Sequence, residues 1–336
     1  MLFALVSLAL LAPSVIAHGW LSTISIDGTT YTGPSPDDAP TKDTVIRQVS
    51  DVSPVKGATN PDMVCGLSAS LANKQATAMP GSKIDFMWIS RGPQNWIHKV
   101  GPVMTYLAEC TGTPDCSTFN ASDAQWFKID QMGLKDAASG TWWHQNFFDG
   151  EPLSVTLPSD LKAGNYLFRN EIIALHTATS EGGVEFYPAC AQLSVGGTQN
   201  GTPNATVSIP GVYSDTDAGI VTPDIFNTPV QYIFPGGPVS SMAVEADSAD
   251  LADLKAVTTQ PAVAFNILSS GSDSTPSSNS SSAASSATSA TASSEASPST
   301  VAGSASAAST TAASKSCKAK TTSQKKRRVH ARHWFH

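Results

Sequence analysis

The 336-residue chain lacks the short signatures that would settle its chemistry at a glance. It has no HExxH and no Cys-x-x-Cys pair, which removes the commonest zinc sites. It has no Gly-x-Ser-x-Gly turn and no glycine-rich phosphate loop, which removes the serine-hydrolase elbow and the usual nucleotide cradle. No long stretch keeps a 3.6-residue apolar period, so a helical fold is excluded. No apolar run of spanning length follows residue 17, and the C-terminus has no hydrophobic anchor tail. Neither a membrane span nor a lipid anchor is therefore expected. Acid is missing from residues 317–336, which hold seven of the 20 Lys and Arg. The other 13 stand against 27 Asp and Glu, a balance of about −14 over residues 1–316. So acidic a globular part excludes nucleic acid as its main partner. Paired hydrolytic carboxylates keep no fixed spacing, so a hydrolase stays open on these grounds.

What is present begins with residues 1–17, MLFALVSLALLAPSVIA, an apolar run ending in Val15-Ile16-Ala17. This pattern is a secretory signal peptide, although no Lys or Arg precedes Leu11. Cleavage after Ala17 makes His18 the first residue of the mature chain. A histidine there carries a free α-amine beside its imidazole and binds a metal through two nitrogens. Residues 18–245 form the expected catalytic domain. Residues 246–316 drift into Ser, Ala and Thr and read as a disordered linker, unable to bury enough apolar surface to offset its ordering entropy. Residues 317–336 form a basic tail. It is either a contact for anionic cell-wall material or membranes, or a solvated tail trimmed at its dibasic site.

Five cysteines suit a secreted chain with two disulfides and one left over. Cys110 and Cys116 are close enough for a local loop staple. Cys65 with Cys190 would then tie distant parts of the domain together, leaving Cys317. Acceptor sequons stand at Asn120, Asn200, Asn204 and Asn279, as expected of an extracellular glycoprotein. Ile84, Phe86 and Trp88 alternate with Lys83, Asp85 and Met87, and Leu153, Val155 and Leu157 alternate with Ser154 and Thr156. Further strands are expected over residues 103–107, 165–176 and 191–195. Short strands punctuated by Gly and Pro predict an all-β sandwich with long surface loops. The Pro- and Gly-rich stretch 209–238 reads as an extended arm lying on it.

Of seven histidines, His330, His333 and His336 fall in the tail, leaving His18, His98, His144 and His176. His98 lies in a loop between Trp96 and Gly101-Pro102, where it reaches a surface site or is simply hydrogen-bonded there. His176 closes an apolar strand and is a site residue or a core histidine satisfied by backbone. Tyr187, three residues before Cys190, is a packed tyrosine or a rigid axial group at a metal.

The order of six elements is more specific than any of these alone. They are HGWLSTISIDG at His18, DMVCG at Asp62, HKVGPVMTYLAEC at His98, WFKID at Trp126, LPSDLKAGNYLFRNEIIALHTA at Leu157 and EFYPACAQLSV at Glu185, with PGVY and DTDAGI elements near Tyr213 and Ile220 following. In these the chain resembles the fungal lytic polysaccharide monooxygenases of auxiliary activity family 9. The resemblance implies an immunoglobulin/fibronectin-III-like β-sandwich with one copper ion on a flat face. His18 would bind copper by its amine and Nδ1, His98 by Nε2, and Tyr187 would stand axial. His176 and Glu185 would act on the oxygen co-substrate, and Cys65–Cys190 and Cys110–Cys116 match the expected bridges. Trp20 and Tyr213 are the candidates for stacking on sugar rings. Copper suits such donors: imidazole and amine nitrogens favour Cu(II) among divalent metals. The amine, with a free pKa of about 8, yields its proton readily near neutrality. Two departures stand out. Lys99 and Val100 both intervene before Gly-Pro where the family usually has one residue, with His144 the fallback ligand, and Glu185 stands where Gln is usual.

The expected function is therefore secreted, copper-dependent oxidative cleavage of cellulose or a related β-1,4-glucan at C1 or C4. It would use O2 or H2O2 and an external electron donor, and act as a monomer. The rival readings are a non-catalytic extracellular copper- or cell-wall-binding protein and the two-carboxylate hydrolase. Mass spectrometry of the secreted protein is expected to show His18 as its N-terminus; any other start removes the bidentate nitrogen pair.

Overall fold

The computed structural model describes residues 18–244 apart from Pro93. The expected leader, the 246–316 linker, the basic tail, Cys317 and Asn279 lie outside the described residues. In chain order the strands are β1 (Gly19–Ile26), β2 (Thr29–Thr32), β3 (Ala76–Ala78), β4 (Lys83–Ser90), β5 (Gln94–Asn95) and β6 (Val103–Glu109). They continue with β7 (Phe127–Met132), β8 (Leu134–Asp136), β9 (Thr141–Trp142), β10 (Leu153–Thr156), β11 (Gly164–Ala174) and β12 (Glu185–Val195). One short helix, α1 (His144–Asp149), precedes β10. The first sheet runs β10-β4-β1-β2, with β5 on the end of β4; the second runs β3-β12-β11-β6-β7. The two sheets form the expected sandwich. No helix among the described residues is long and apolar enough to cross a membrane.

The alternation in β4 is what one solvated face requires: Ile84, Phe86 and Trp88 are buried while Lys83, Asp85 and Met87 are not. They meet Phe168, Ile172 and Leu193 of the second sheet in the central core. Each such enclosed side chain contributes about 1.5–3 kcal/mol. Trp88 Nε1 donates to Asn170 Oδ1 at 2.7 Å, satisfying a polar pair between the sheets.

The second sheet behaves differently, because both its faces are covered. β11 and β12 are buried at nearly every position, so they carry no clean period of two. Long loops form a second core on the outer side, where Tyr106, Leu167, Ile173 and Phe186 pack with Ile209 and Ile225. The expected arm 209–238 is part of this cover and contains no strand. Burial under it is possible because the polar groups are paired. Arg169 donates two bonds of 2.8 Å to Glu171 and reaches the Val64 and Met63 carbonyls, while Tyr213 donates to Glu171 at 2.7 Å. Lys128 Nζ donates to the Pro235 and Gly237 carbonyls at 2.8 and 2.6 Å, pinning the arm's end. Burial pushes that ammonium's pKa down to about 7.

Both expected bridges form, Cys65–Cys190 and Cys110–Cys116. The β-run expected over 165–176 ends at Ala174, which leaves His176 in the turn beyond, and β12 begins six residues earlier than 191–195 suggests. α1 was not expected: six residues are too few to display a period. Replacing Glu171→Gln is expected to destabilise the fold by about 3–5 kcal/mol, because it leaves the enclosed Arg169 charge unmatched; urea midpoints measure this.

Candidate metal centre

Four strand ends converge at one end of the sandwich. β1 starts at Gly19, whose ladder pairs it with Ser90, and His18 continues the pairing by accepting from Arg91 N at 3.0 Å. Gly19 lies so close on the Ile89 carbonyl that a Cβ would collide with it. β12 opens with Glu185 and carries Tyr187 two residues on, so both side chains leave the same face of the sheet. His98 sits where the chain returns toward β6. Its segment is fastened by Leu175 N to Val100 O at 2.9 Å and Ile173 N to Pro102 O at 3.1 Å. Gly101, with φ at 134°, lets the backbone approach the Ile173 carbonyl. In the His98 loop the Lys99 ammonium lies 3.5 Å from the centre of the Phe148 ring.

Tyr187 is the hub. The His18 and His98 rings stand 6.3 and 6.1 Å from its ring, tilted at 37° and 33°. Trp96 closes the floor, fully buried and edge-on to Tyr187 at 4.9 Å and to His98 at 5.3 Å. His98 and His176 are stacked at 4.1 Å with only 15° between their planes. Lone pairs of stacked rings lie in separate, nearly parallel planes, so an ion in the plane of one imidazole lies out of the plane of the other. Glu185 Oε2 accepts from the Tyr187 hydroxyl at 2.8 Å and lies 3.6 Å from His98 Nε2 and 3.9 Å from His176 Nε2. His98, His176 and Glu185 each offer a ligand atom within 4.8 Å of the others.

The charges around this cluster are set by burial first. Burial pushes the Tyr187 phenol well above its ordinary pKa, and the Glu185 carboxylate and its hydrogen bond add to this, so the hydroxyl stays protonated. Burial lowers the His176 pKa, Glu185 works against that, and the nearby Lys56 and His18 reinforce it. Asp51 is held below its usual range mainly by the Ser53 hydroxyl and backbone, with smaller help from Arg91 and His18. Arg91 in turn clasps Asp37 with bonds of 2.9 and 2.6 Å, fastening the 33–55 loop beside His18. Two imidazoles, at His98 and His18, beside one protonated phenol are the donors a nitrogen-rich copper site requires. The residues present therefore fit copper.

His18, His98, Tyr187, His176 and Glu185 are thus brought together. Trp20 and Tyr213 are not presented as sugar-stacking surfaces. Trp20 is 8% exposed, and Tyr213 is 4% exposed with its hydroxyl used by Glu171 and Tyr106, so neither ring offers a face to a glucan. The sequence misleads here because aromatic character does not say which way a ring turns. His144 is not an alternative ligand: it is fully enclosed, with Nε2 on the Pro102 carbonyl at 3.2 Å. Asn120, Asn200 and Asn204 are exposed. The Asn120 side chain caps the turn at Ser122, and Asn204 Oδ1 receives Ser241 N. Lys56 and the floor role of Trp96 were missed. The spacing of Trp96 and His98 by two hints at a shared face, whereas nothing local marks Lys56.

The profile of Auxiliary Activity family 9 (formerly GH61) matches residues 18–232. The chain is 48% identical over 246 residues to AA9 family lytic polysaccharide monooxygenase D of Gloeophyllum trabeum, covering 73% of this chain and 70% of that one. It is 39% identical over 243 residues to monooxygenase B of Heterobasidion irregulare, covering 69% of this chain and 95% of that one. Among solved structures it is similar to the extended catalytic domain of H. jecorina LPMO9A, with a TM-score of 0.62 and 32% identity over 68% of this chain and 94% of that one. It is also similar to a cellulose-active polysaccharide monooxygenase from M. thermophila, with a TM-score of 0.58 and 32% identity over 66% and 98% of the two chains.

Burial drives the His144 pKa down from 6.5 to about 3. The unfolded chain therefore binds a proton there that the folded one refuses. His144 contributes no pH dependence above about 6.5 and erodes stability as pH falls from there toward 3, by at most about 1.4 kcal/mol per pH unit. His144→Gln is expected to flatten the acid limb of denaturation midpoint against pH by this one proton.

Proposed function

The chain belongs to Auxiliary Activity family 9, the copper-dependent lytic polysaccharide monooxygenases, and from that membership we propose that it is a secreted enzyme cleaving β-1,4 bonds of cellulose by oxidation. The observation that carries this reading is the gathering of two imidazoles, His18 and His98, with rings 6.3 and 6.1 Å from that of one protonated phenol, Tyr187. In this reading the His18 amine and Nδ1 and His98 Nε2 would hold copper, with the Tyr187 hydroxyl beside them. When bound, copper supplies a Cu(II)/Cu(I) couple that an external donor cycles, enabling O2 or H2O2 to remove a hydrogen at C1 or C4.

The chain's own residues prepare that chemistry. Trp96 shuts water out behind the ligands and fixes the planes of His98 and Tyr187 by edge contacts. Glu185 holds the phenol proton at Oε2, which keeps the Tyr187 oxygen neutral and turned in a set direction. His176, partly open to solvent and stacked on His98, would present a nitrogen beside a metal held by His18 and His98. Cellulose as substrate draws support from the M. thermophila relative described as cellulose-active. The acidic domain needs no charged partner, in keeping with a neutral polymer.

Incubation of cellulose with copper-loaded protein and a reductant is expected to release oxidised chain ends. Omitting reductant or chelating copper should abolish them. His98→Ala should reduce them beyond the roughly 10–100-fold that loss of a supporting partner causes. Plain reducing sugars formed without reductant would instead establish the hydrolase.

A further inference from the structure

Glu185 places a carboxylate at the head of β12, beside Tyr187, His98 and His176, and the structure shows what faces its other oxygen. Val55 bridges to Phe186 in both directions, Val55 N to Phe186 O at 2.8 Å and Phe186 N to Val55 O at 3.2 Å. That pairing carries the next residue, Lys56, alongside the start of β12. Lys56 Nζ donates to the Val184 carbonyl at 2.8 Å and the Gly183 carbonyl at 3.4 Å, and stands 3.6 Å from Glu185 Oε1. The ammonium is thus tethered by the backbone just ahead of the carboxylate it faces. The other oxygen, Oε2, takes the Tyr187 hydroxyl and lies near His98 and His176.

We propose, on the reading that copper sits between His18 and His98, that Lys56 is a positioning residue of the metal centre: it holds the Glu185 carboxylate by Oε1 so that Oε2 serves Tyr187 and stays off His98 Nε2. Magnitudes decide between this and a stabilising role. Lys56 is 48% exposed, and an ion pair so open to water adds little to the stability of the fold. Orientation is a different matter. A carboxylate released from Lys56 is free to turn its second oxygen, and 3.6 Å already separates Oε2 from the nitrogen that the metal needs. Outer partners that fix ligands in this way typically govern metal affinity by about 10–100-fold.

The test is Cu(II) electron paramagnetic resonance and copper titration on the full secreted protein, in wild type, Lys56→Met, Lys56→Arg, Glu185→Gln and the Lys56→Met/Glu185→Gln pair. Wild type is expected to show a nitrogen-rich Cu(II) spectrum. Lys56→Met should shift that spectrum and weaken copper binding by about 10-fold, with unchanged thermal unfolding of the metal-free protein. Lys56→Arg should restore both, and the Met substitution should do nothing further once residue 185 is Gln. If wild type gives the nitrogen-rich spectrum and Lys56→Met matches it in spectrum and affinity, the role of Lys56 is refuted while the copper assignment stands. An equal effect of Lys56→Met in the Glu185→Gln background refutes it too. A wild type without nitrogen ligation overturns the copper reading and the role of Lys56 with it.

Discussion

Eleven consecutive residue pairs join β11 to β12, and their register governs the end of the molecule where the chemistry gathers. Side chains along a strand alternate, so a slip of one residue would send Glu185 and Tyr187 to the opposite face. The ladder cannot slip cheaply, because both faces of this sheet are enclosed. Arg169 and Glu171 on β11 are locked to loop carbonyls and to Tyr213, and Cys190 on β12 is bonded to Cys65. Buried ionic groups are weak as a source of stability, yet strong against misalignment, since any other register strands a charge. The conformational order of the site is thus inherited from a network on the far side of the same sheet.

The two sheets contribute unequally. The first brings His18 through the β1–β4 pairing and, by Arg91, ties down the loop that flanks it. The second brings Glu185, Tyr187, His176 and the fastening of the His98 segment. Trp88 and Trp96, in edge contact at 5.9 Å, carry the sandwich core up to the floor beneath the ligands. Rigidity reaches the donors through packing rather than through a dense set of hydrogen bonds, and His176 Nδ1, buried without a hydrogen-bond partner, shows how sparse those bonds are.

How much of this could be read beforehand differed from element to element. β4 was legible because one side faces water, so its alternation survives in the sequence. β11 was recognisable only as an apolar run, and its end was misjudged by two residues because enclosure on both sides removes the period. The pairing of four cysteines followed from their number and spacing. His18, His98, Tyr187 and Glu185 could be singled out because ordered motifs surround them, and the fold gathers them at one end. Lys56 and Asp51 were not, since what they do depends on partners far along the chain, and no local pattern records a contact made through tertiary folding. Trp20 and Tyr213 were misjudged for the complementary reason: their residue types suit a sugar surface, and only the fold shows them enclosed.

The tight seat of Gly19 on the Ile89 carbonyl has a consequence beyond the geometry of the site. If the leader ends at Ala17, the His18-Gly19 dipeptide is read twice in the life of the protein. A membrane peptidase meets it first as substrate, and the finished sheet meets it again as the rigid end of a strand. The two readers tolerate different things: the peptidase accepts many residues at that second position, the strand end none with a side chain. Mutational drift there is limited by the stricter reader, so a substitution invisible to export would surface only after folding, as a terminus unable to lie down.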